Sequence, residues 1–265
     1  MPAEENGAEP GEAEPGLSII HISLASLCAQ ELGIEEEKIL ASDLFLYNRE
    51  KGCRMGAKGE FIGSPRLDDL QCAFGVLEGF LQAGQDDAET GCCAVYALFD
   101  NEEIGSGTKQ GADSTFLSDV LDCVCDAVSV SGAKKRDVLS ESFLLSADNA
   151  HGVHPNHPEK SDPTNRPYLN GGIVLKFQGS QKYTTDAWSA AQVRSLCKKA
   201  GVPCQNFANR ADIAGGSTLG NISSAHVSIP AADIGLAQLA MHSAFETAGA
   251  LDTGYLIALC REYYA

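Results

Sequence analysis

Apolar and polar positions along the chain change period several times, and each change marks an element. From Leu17 to Leu32 the run LSIIHISLASLCAQEL is apolar with small polar interruptions and stops at Gly33, which predicts a helix with a glycine cap. DLFLYN alternates like a strand, GEFIGSPRLDDLQCAFGVLEGFLQAG passes from a short strand into an amphipathic helix, and CCAVYALF reads as a buried strand. Helical spacing returns from Ala112 to Val130, ESFLLSADNA is a strand running into a loop, and GGIVLKF is another strand. Thr185 to Ala200 reads as a helix and AHVSIP as a strand, and the chain closes with helical stretches from about Ala237 to Thr247 and Asp252 to Tyr264. This alternation predicts an α/β fold, a three-layer α/β/α sandwich whose mixed, mostly parallel sheet is covered by helices on both faces. Residues 1–16 offer almost nothing to bury, so they are expected to be a disordered acidic linker ahead of one domain over residues 17–265.

With 265 residues, 44% of them hydrophobic and 21% charged, the chain can bury a sizeable core. Thirty-six acidic residues against nineteen basic ones give a formal charge of −17, which argues against nucleic acid and against an anionic membrane surface as partners. No apolar run approaches the roughly 18 residues of a membrane span, and MPAEENGAEPGEAEPG lacks the basic start and apolar centre of a signal peptide, so a cytoplasmic protein is expected. The ten cysteines include no CxxC pair and lie mostly in apolar segments, which reads as reduced thiols used as small core residues, without disulfides.

The stretch FDNEEIGSGTKQG sets Glu102 beside Glu103 where an apolar run meets a polar, glycine-rich turn. Adjacent acids there repel and lose hydration unless a cation or donor offsets the cost. Either this is a solvated loop on an acidic chain, or one carboxylate binds metal while its neighbour moves protons. Sites in such sheets gather at the carboxyl ends of strands, and other polar residues fall at similar places. Asp68 follows EFI, Asp148 follows SFLLSA, and His242 sits in QLAMHS between the expected helical runs. Three carboxylates and an imidazole form an oxygen and nitrogen donor set suited to zinc, manganese or cobalt. A lone histidine among isoleucines, His21, reads instead as a satisfied core or interface residue.

Six separated blocks, SPRLDDL, FDNEEIGSGTKQGADS, LSADNAHGVHPNHP, GGIVLKFQGSQKYTT, RADIAGGSTLGN and LAQLAMHS, resemble in order and context those of the M18 metallopeptidases, the aspartyl aminopeptidases. The resemblance covers about Leu17 to the C-terminus and implies a zinc-peptidase-like sheet, incomplete on its N-terminal side. It implies that Asp68 bridges two divalent ions, most readily zinc, with manganese or cobalt as alternatives. Glu103 and His242 then complete one ion's ligands, Asp148 belongs to the other, and Glu102 is the general base acting on a metal-activated water. His151 and Lys176 fall in blocks that line the family's substrate pocket, where they would favour peptides with N-terminal Asp or Glu. Lys176 could equally be an exposed edge lysine. His154 and His157 look like loop residues that could be mistaken for zinc ligands, and Asp212 lies in a block near the family's site.

Two departures stand out. Asp69 occupies a position where the family commonly has Asn. The family's early histidine ligand and its inserted dimerisation domain have no counterpart in the matched region, so activity is expected to need an N-terminal half, from a separate chain or a longer parent. A non-catalytic assembly or binding subunit with a structural metal, and a single-metal hydrolase, are the alternatives. A homo-oligomer is expected, the family's assembly being a dodecamer.

Overall fold

The computed structural model describes residues 23–84 and 91–265. The predicted linker, His21 and the start of the first predicted helix lie outside these residues. Two units are distinguished, with the boundary between Leu46 and Tyr47. In the first, helix α1 (Leu24–Leu32) begins at Ser23, whose hydroxyl accepts from the Ser26 amide, and ends at Gly33, which takes the left-handed conformation at φ 65°. Its glycine stop follows the expected logic, because a residue without Cβ adopts positive φ at little cost. The strand expected over DLFLYN is absent: residues 43–48 join no ladder, and Phe45 and Leu46 are exposed.

The second unit contains β1 (Cys53–Met55), β2 (Phe61–Ser64), α2 (Leu67–Ala83), α3 (Phe116–Ala127), α4 (Gly132–Glu141), β3 (Leu144–Ala147), β4 (Ala150–His151) and β5 (Ile173–Phe177). It continues with α5 (Ala187–Ala200), β6 (Cys204–Ala208), α6 (Leu219–Ser224), β7 (Ala231–Gly235), β8 (Ala237–Leu239), β9 (Glu246–Gly249) and α7 (Asp252–Tyr264). In place of one sheet there are two, ordered β1-β2-β9-β8-β4 and β3-β7-β5-β6. The four-stranded sheet is mixed, with β3 and β7 parallel, β5 and β6 parallel, and β5 antiparallel to β7. The five-stranded sheet is antiparallel except between β4 and β8.

Ile173, Val174 and Leu175 of β5 are all fully buried, as a continuous apolar run predicts for a strand covered on both faces. Ile173 and Leu175, with Ile234 of β7, meet Val193 of α5 and Leu256 and Leu259 of α7 in the main core, while Val174 packs with Ala150, Tyr183, Phe207 and Ala237 in a second cluster. Helices α2 and α7 approach closely because Gly75 and Gly79 leave room: a Cβ at Gly75 would meet the Leu256 side chain, and one at Gly79 the Cys260 side chain and the Ile257 carbonyl.

Three expectations are corrected here. Residues 237–247 form β8, a turn and the start of β9 rather than a helix, since pairing with β4 and β2 outweighs the helix preference of Ala, Leu and Met. The strand expected at AHVSIP begins after it, at Ala231, beyond Pro230. The run CCAVYALF forms no buried strand: residues 93–99 join no ladder among the described residues, and Val95 and Leu98 are exposed. Of the ten cysteines, Cys72, Cys125, Cys197 and Cys260 are buried, while Cys53, Cys92, Cys93 and Cys123 are exposed. Among the described residues no helix is long and apolar enough to cross a membrane.

Candidate metal centre

Asp68 stands at the start of α2, where it and Asp69 depart from helical backbone angles and the peptide between them is cis. Its Oδ2 lies 3.0 Å from His242 Nε2, and the same imidazole nitrogen lies 3.0 Å from Glu103 Oε2. Glu102 and Glu103 form a short 3-10 turn, Glu102–Ile104, set between Asn101 and Gly105, both at positive φ. Asp68 belongs to two groups of donor atoms, one with Glu103 and His242 and the other with Asp69 and Asp148, each within 4.8 Å.

These acids come from distant parts of the chain, and a buried polar frame holds them. Glu246, which opens β9, accepts from the Asp68 amide at 3.0 Å and from the His242 amide at 2.7 Å, so one buried carboxylate fixes the backbone of two candidate ligands. Asn149 donates to the Leu67 carbonyl at 3.0 Å and to Gln238 Oε1 at 2.7 Å, while its own amide donates to Asp69 Oδ1 at 3.0 Å. Lys176, only 2% exposed on β5, donates to Asp148 Oδ2 at 3.1 Å and to the Asn149 carbonyl at 2.7 Å. Gly235 of β7 permits the close passage of this loop, because a Cβ there would strike the Asp148 carbonyl.

The electrostatic consequence is crowding of like charge. Burial, then the charges of Asp148 and Glu103, push the Asp68 pKa up to about 8. Burial, followed by the same kind of repulsion from Asp148 and Glu103, raises Glu102 to about 7. Burial and then Asp148 and Asp68 hold Asp69 well above the usual carboxylate range. Burial, the largest single influence, lowers the Lys176 pKa, but Asp148, Tyr183 and Asp233 together outweigh it and raise the ammonium above its ordinary value. His151, on β4, is solvent-accessible yet partly desolvated, and this, with the charges of Lys176 and His242, lowers its pKa.

A cation fits these residues. Asp68 Oδ1 is buried with no hydrogen-bond partner, which costs free energy unless something positive meets it. The donors are carboxylates and one imidazole, a set for first-row divalent ions rather than a thiol site. Asp68, Glu103 and His242 would hold one ion, and Asp68, Asp148 and Asp69 form the second group.

Among the residues proposed from sequence, Asp68, Glu102, Glu103, Asp148 and His242 come together, and Lys176 reaches them through Asp148. The alternative of Lys176 as an exposed edge lysine is excluded by its burial. His154 and His157 lie with their rings 5.2 Å apart on an exposed loop, where His157 pairs with Glu159, and they join neither donor group. Asp212 pairs with Arg210 at 2.7 Å and is also outside both groups. Sequence reasoning missed Glu246, Asn149 and Gln238. Their signal was a polar residue inside an apolar, pairing strand or loop, hidden at Gln238 and Glu246 by the helical reading of that segment.

An α/β scaffold carrying an acid-rich cation site defines the class as a candidate hydrolytic metalloprotein. The family described as aminopeptidase I zinc metalloprotease (M18) matches residues 2–264, and the chain belongs to it. A probable M18 family aminopeptidase 2 of Clostridium novyi is 46% identical over 243 residues, covering 91% of this chain and 55% of the relative. A protein of the same name from Pseudomonas aeruginosa is 37% identical over 256 residues, covering 97% of this chain and 57% of the relative. Among solved structures, Ape4 in its complex with Nbr1 superposes with a TM-score of 0.85 at 32% identity over 94% of this chain and 51% of that one. Yeast aminopeptidase 1 (Ape1) gives 0.79 at 30% identity over 91% of this chain and 55% of that one. The chain therefore spans about half the length of the relatives it matches.

Proposed function

We propose that this chain carries the metal-binding and proton-transferring part of an aminopeptidase that removes N-terminal Asp or Glu from peptides, with two divalent ions, zinc foremost, sharing Asp68. The observation that supports it most is Glu102, raised to about 7 near Asp148 and Glu103, which share donor groups with Asp68, a buried aspartate that has one oxygen without a hydrogen-bond partner. When bound, the ions supply Lewis acidity toward water and the scissile carbonyl. A carboxylate with a pKa near neutrality can take a proton from water and give it to the leaving amine, the role assigned to Glu102. His242 and Glu103 would hold the first ion and Asp148 the second. Lys176 holds Asp148 in place and projects positive charge into the site, and accessible His151 is the donor that meets an acidic substrate side chain.

The dodecamer of S. cerevisiae mApe1 is 29% identical with a TM-score of 0.78, and supports a homo-oligomer here, to be read from sedimentation. Free cysteines suit a reducing cytoplasm.

Glu102→Gln tests the assignment. Zinc binding measured by calorimetry should remain within a few-fold, while hydrolysis of Asp-p-nitroanilide by the assembled enzyme should fall about 10²–10⁴-fold. Unchanged hydrolysis would remove Glu102 from the chemistry and favour the reading of a subunit with a structural metal, which needs no base.

A further inference from the structure

The loop that carries Glu102 and Glu103 closes on itself. Across its neck the Asp100 amide donates to the Gln110 carbonyl at 3.0 Å, and within it the Ser106 amide donates to the Asn101 carbonyl at 2.9 Å and the Asp113 amide to the Ser106 carbonyl at 3.2 Å. The Asn101 side chain donates to the Thr108 hydroxyl at 2.9 Å, and Gly111 passes so near Ser106 that a Cβ there would strike its carbonyl. Among the described residues, no amide of residues 100–114 donates to a carbonyl outside that stretch. The loop is thus braced internally, and whatever holds Asp113 also holds Glu102 and Glu103.

Among the described residues, two side-chain bonds tie this loop to distant parts of the chain. One joins Glu103 to His242 and belongs to the site itself. The other joins Asp113 Oδ1 to His226 Nε2 at 2.8 Å. The far end of that second link is firmly anchored. The His226 and Val227 amides donate to the Ser223 carbonyl of α6, at 3.0 and 2.9 Å, and Val227 is buried. Helix α6 packs on β3 and β7, where Gly220 leaves room for Ser146 and Asp233, and the Thr218 hydroxyl ahead of it donates to buried Asp233. Ser146 belongs to β3, the strand that leads directly into Asp148. The linking pair is open to water, the His226 side chain being 29% exposed and that of Asp113 54%. An ion pair so placed adds little to overall stability, so what it fixes is position.

We propose that His226 is a positioning residue, whose bond to Asp113 seats the loop bearing Glu102 and Glu103 on the part of the sheet that carries Asp148. Without that bond the turn Glu102–Ile104 is free to drift relative to Asp68 and Asp148. Glu103 is then less well placed to meet a cation, and Glu102 less well placed to take a proton. This deepens the aminopeptidase reading and rests on it for the roles of Glu102 and Glu103, while the seating of the loop stands apart from it.

His226→Ala, Asp113→Ala and His226→Gln in the 265-residue chain test the link. In both alanine variants hydrogen exchange at the Ser106 and Asp113 amides should quicken about tenfold. Zinc binding by calorimetry should weaken roughly three- to tenfold, less than the about 10–100-fold of groups bonded directly to a ligand. Amides paired between β5 and β7, and the urea midpoint of the cation-free protein, should stay as in the native chain. His226→Gln offers an amide nitrogen where the imidazole nitrogen stood, and should restore both exchange and zinc affinity to within about twofold. The double alanine variant should behave like either single one, since each removes the same bond. Native exchange or native zinc affinity in His226→Ala overturns the proposal. So does a loss that His226→Gln fails to restore, or one that comes with a lower urea midpoint, since either marks a general loss of packing. If the native chain takes up no zinc, the metal reading falls, and exchange with its rescue by His226→Gln still decides whether the link seats the loop. Zinc uptake without hydrolysis of Asp-p-nitroanilide by the assembled enzyme would count against the aminopeptidase reading alone.

Discussion

Glu246→Gln isolates how the fold aims its candidate ligands. The native carboxylate is 2% exposed and accepts two main-chain bonds, from Asp68 at 3.0 Å and from His242 at 2.7 Å. An amide of the same shape keeps one acceptor oxygen and turns an NH₂ group toward the other buried N–H. One charge-assisted bond is lost and a donor is left facing a donor, at a cost of about 1.5–3 kcal/mol. Domains of this kind are stable by only about 5–15 kcal/mol, so the loss should be plain in urea denaturation of the cation-free protein. The second effect is on the site itself. Outer groups that orient ligands are worth about 10–100-fold in metal affinity, so zinc binding by calorimetry should weaken within that range. Near-ultraviolet circular dichroism should confirm that the variant remains folded. If both the denaturation midpoint and the zinc affinity are unchanged, Glu246 does not position Asp68 and His242 and the reasoning fails.

Lys176→Met keeps the buried stem but leaves Asp148 without its cation, and should destabilise the zinc-free protein by about 3–5 kcal/mol in urea melts, with part recovered on adding zinc. A loss below about 1 kcal/mol would mean that Asp148 is well solvated without the lysine, outside the range for a buried pair. In the cation-free protein Asp68 titrates at about 8 and Glu102 at about 7, against ordinary values of 3.8 and 4.5. The native state therefore binds more protons than the unfolded chain through this window, and stability should fall as pH rises from about 5 to 8. A denaturation midpoint that rises over the same range would contradict the crowding of charge. Gly79→Ala places a methyl group against Cys260 and the Ile257 carbonyl of α7, and should cost about 1–3 kcal/mol by thermal melting. A neutral outcome would show that the two helices separate freely.

Elements with one dominant local signal could be read from sequence. Helix α5 has a capping box, with Asp186 accepting from the Ser189 amide, and β5 opens with three apolar residues, Ile173 to Leu175. Residues 237–247 read as helical because their helix-favouring side chains lie in a ladder fixed by β2 and β4, both distant in sequence. Residues 93–99 carry the composition of a buried strand, but among the described residues no partner strand meets them. The cluster was legible because its acids follow strand-like runs, and the six motif blocks ordered them. Its frame was not, because the roles of Glu246 and Asn149 are set by amide directions that appear only once the chain has folded.

The balance of charge ties these observations together. Asp68, Asp69, Glu102, Glu103 and Asp148 crowd around a single buried ammonium, that of Lys176, an excess of four negative charges when all are ionised. Two divalent cations would cancel that excess. Protons can do part of the same work, and the raised pKa values of Asp68 and Glu102 show where they bind when no cation is present. At Asp68, protons and cations therefore compete for the same carboxylate, and cation binding there releases a proton. A structural site would gain nothing from holding Glu102 at about 7 beside the ligands. A hydrolytic one would, because there the group must take up and release a proton in each turnover.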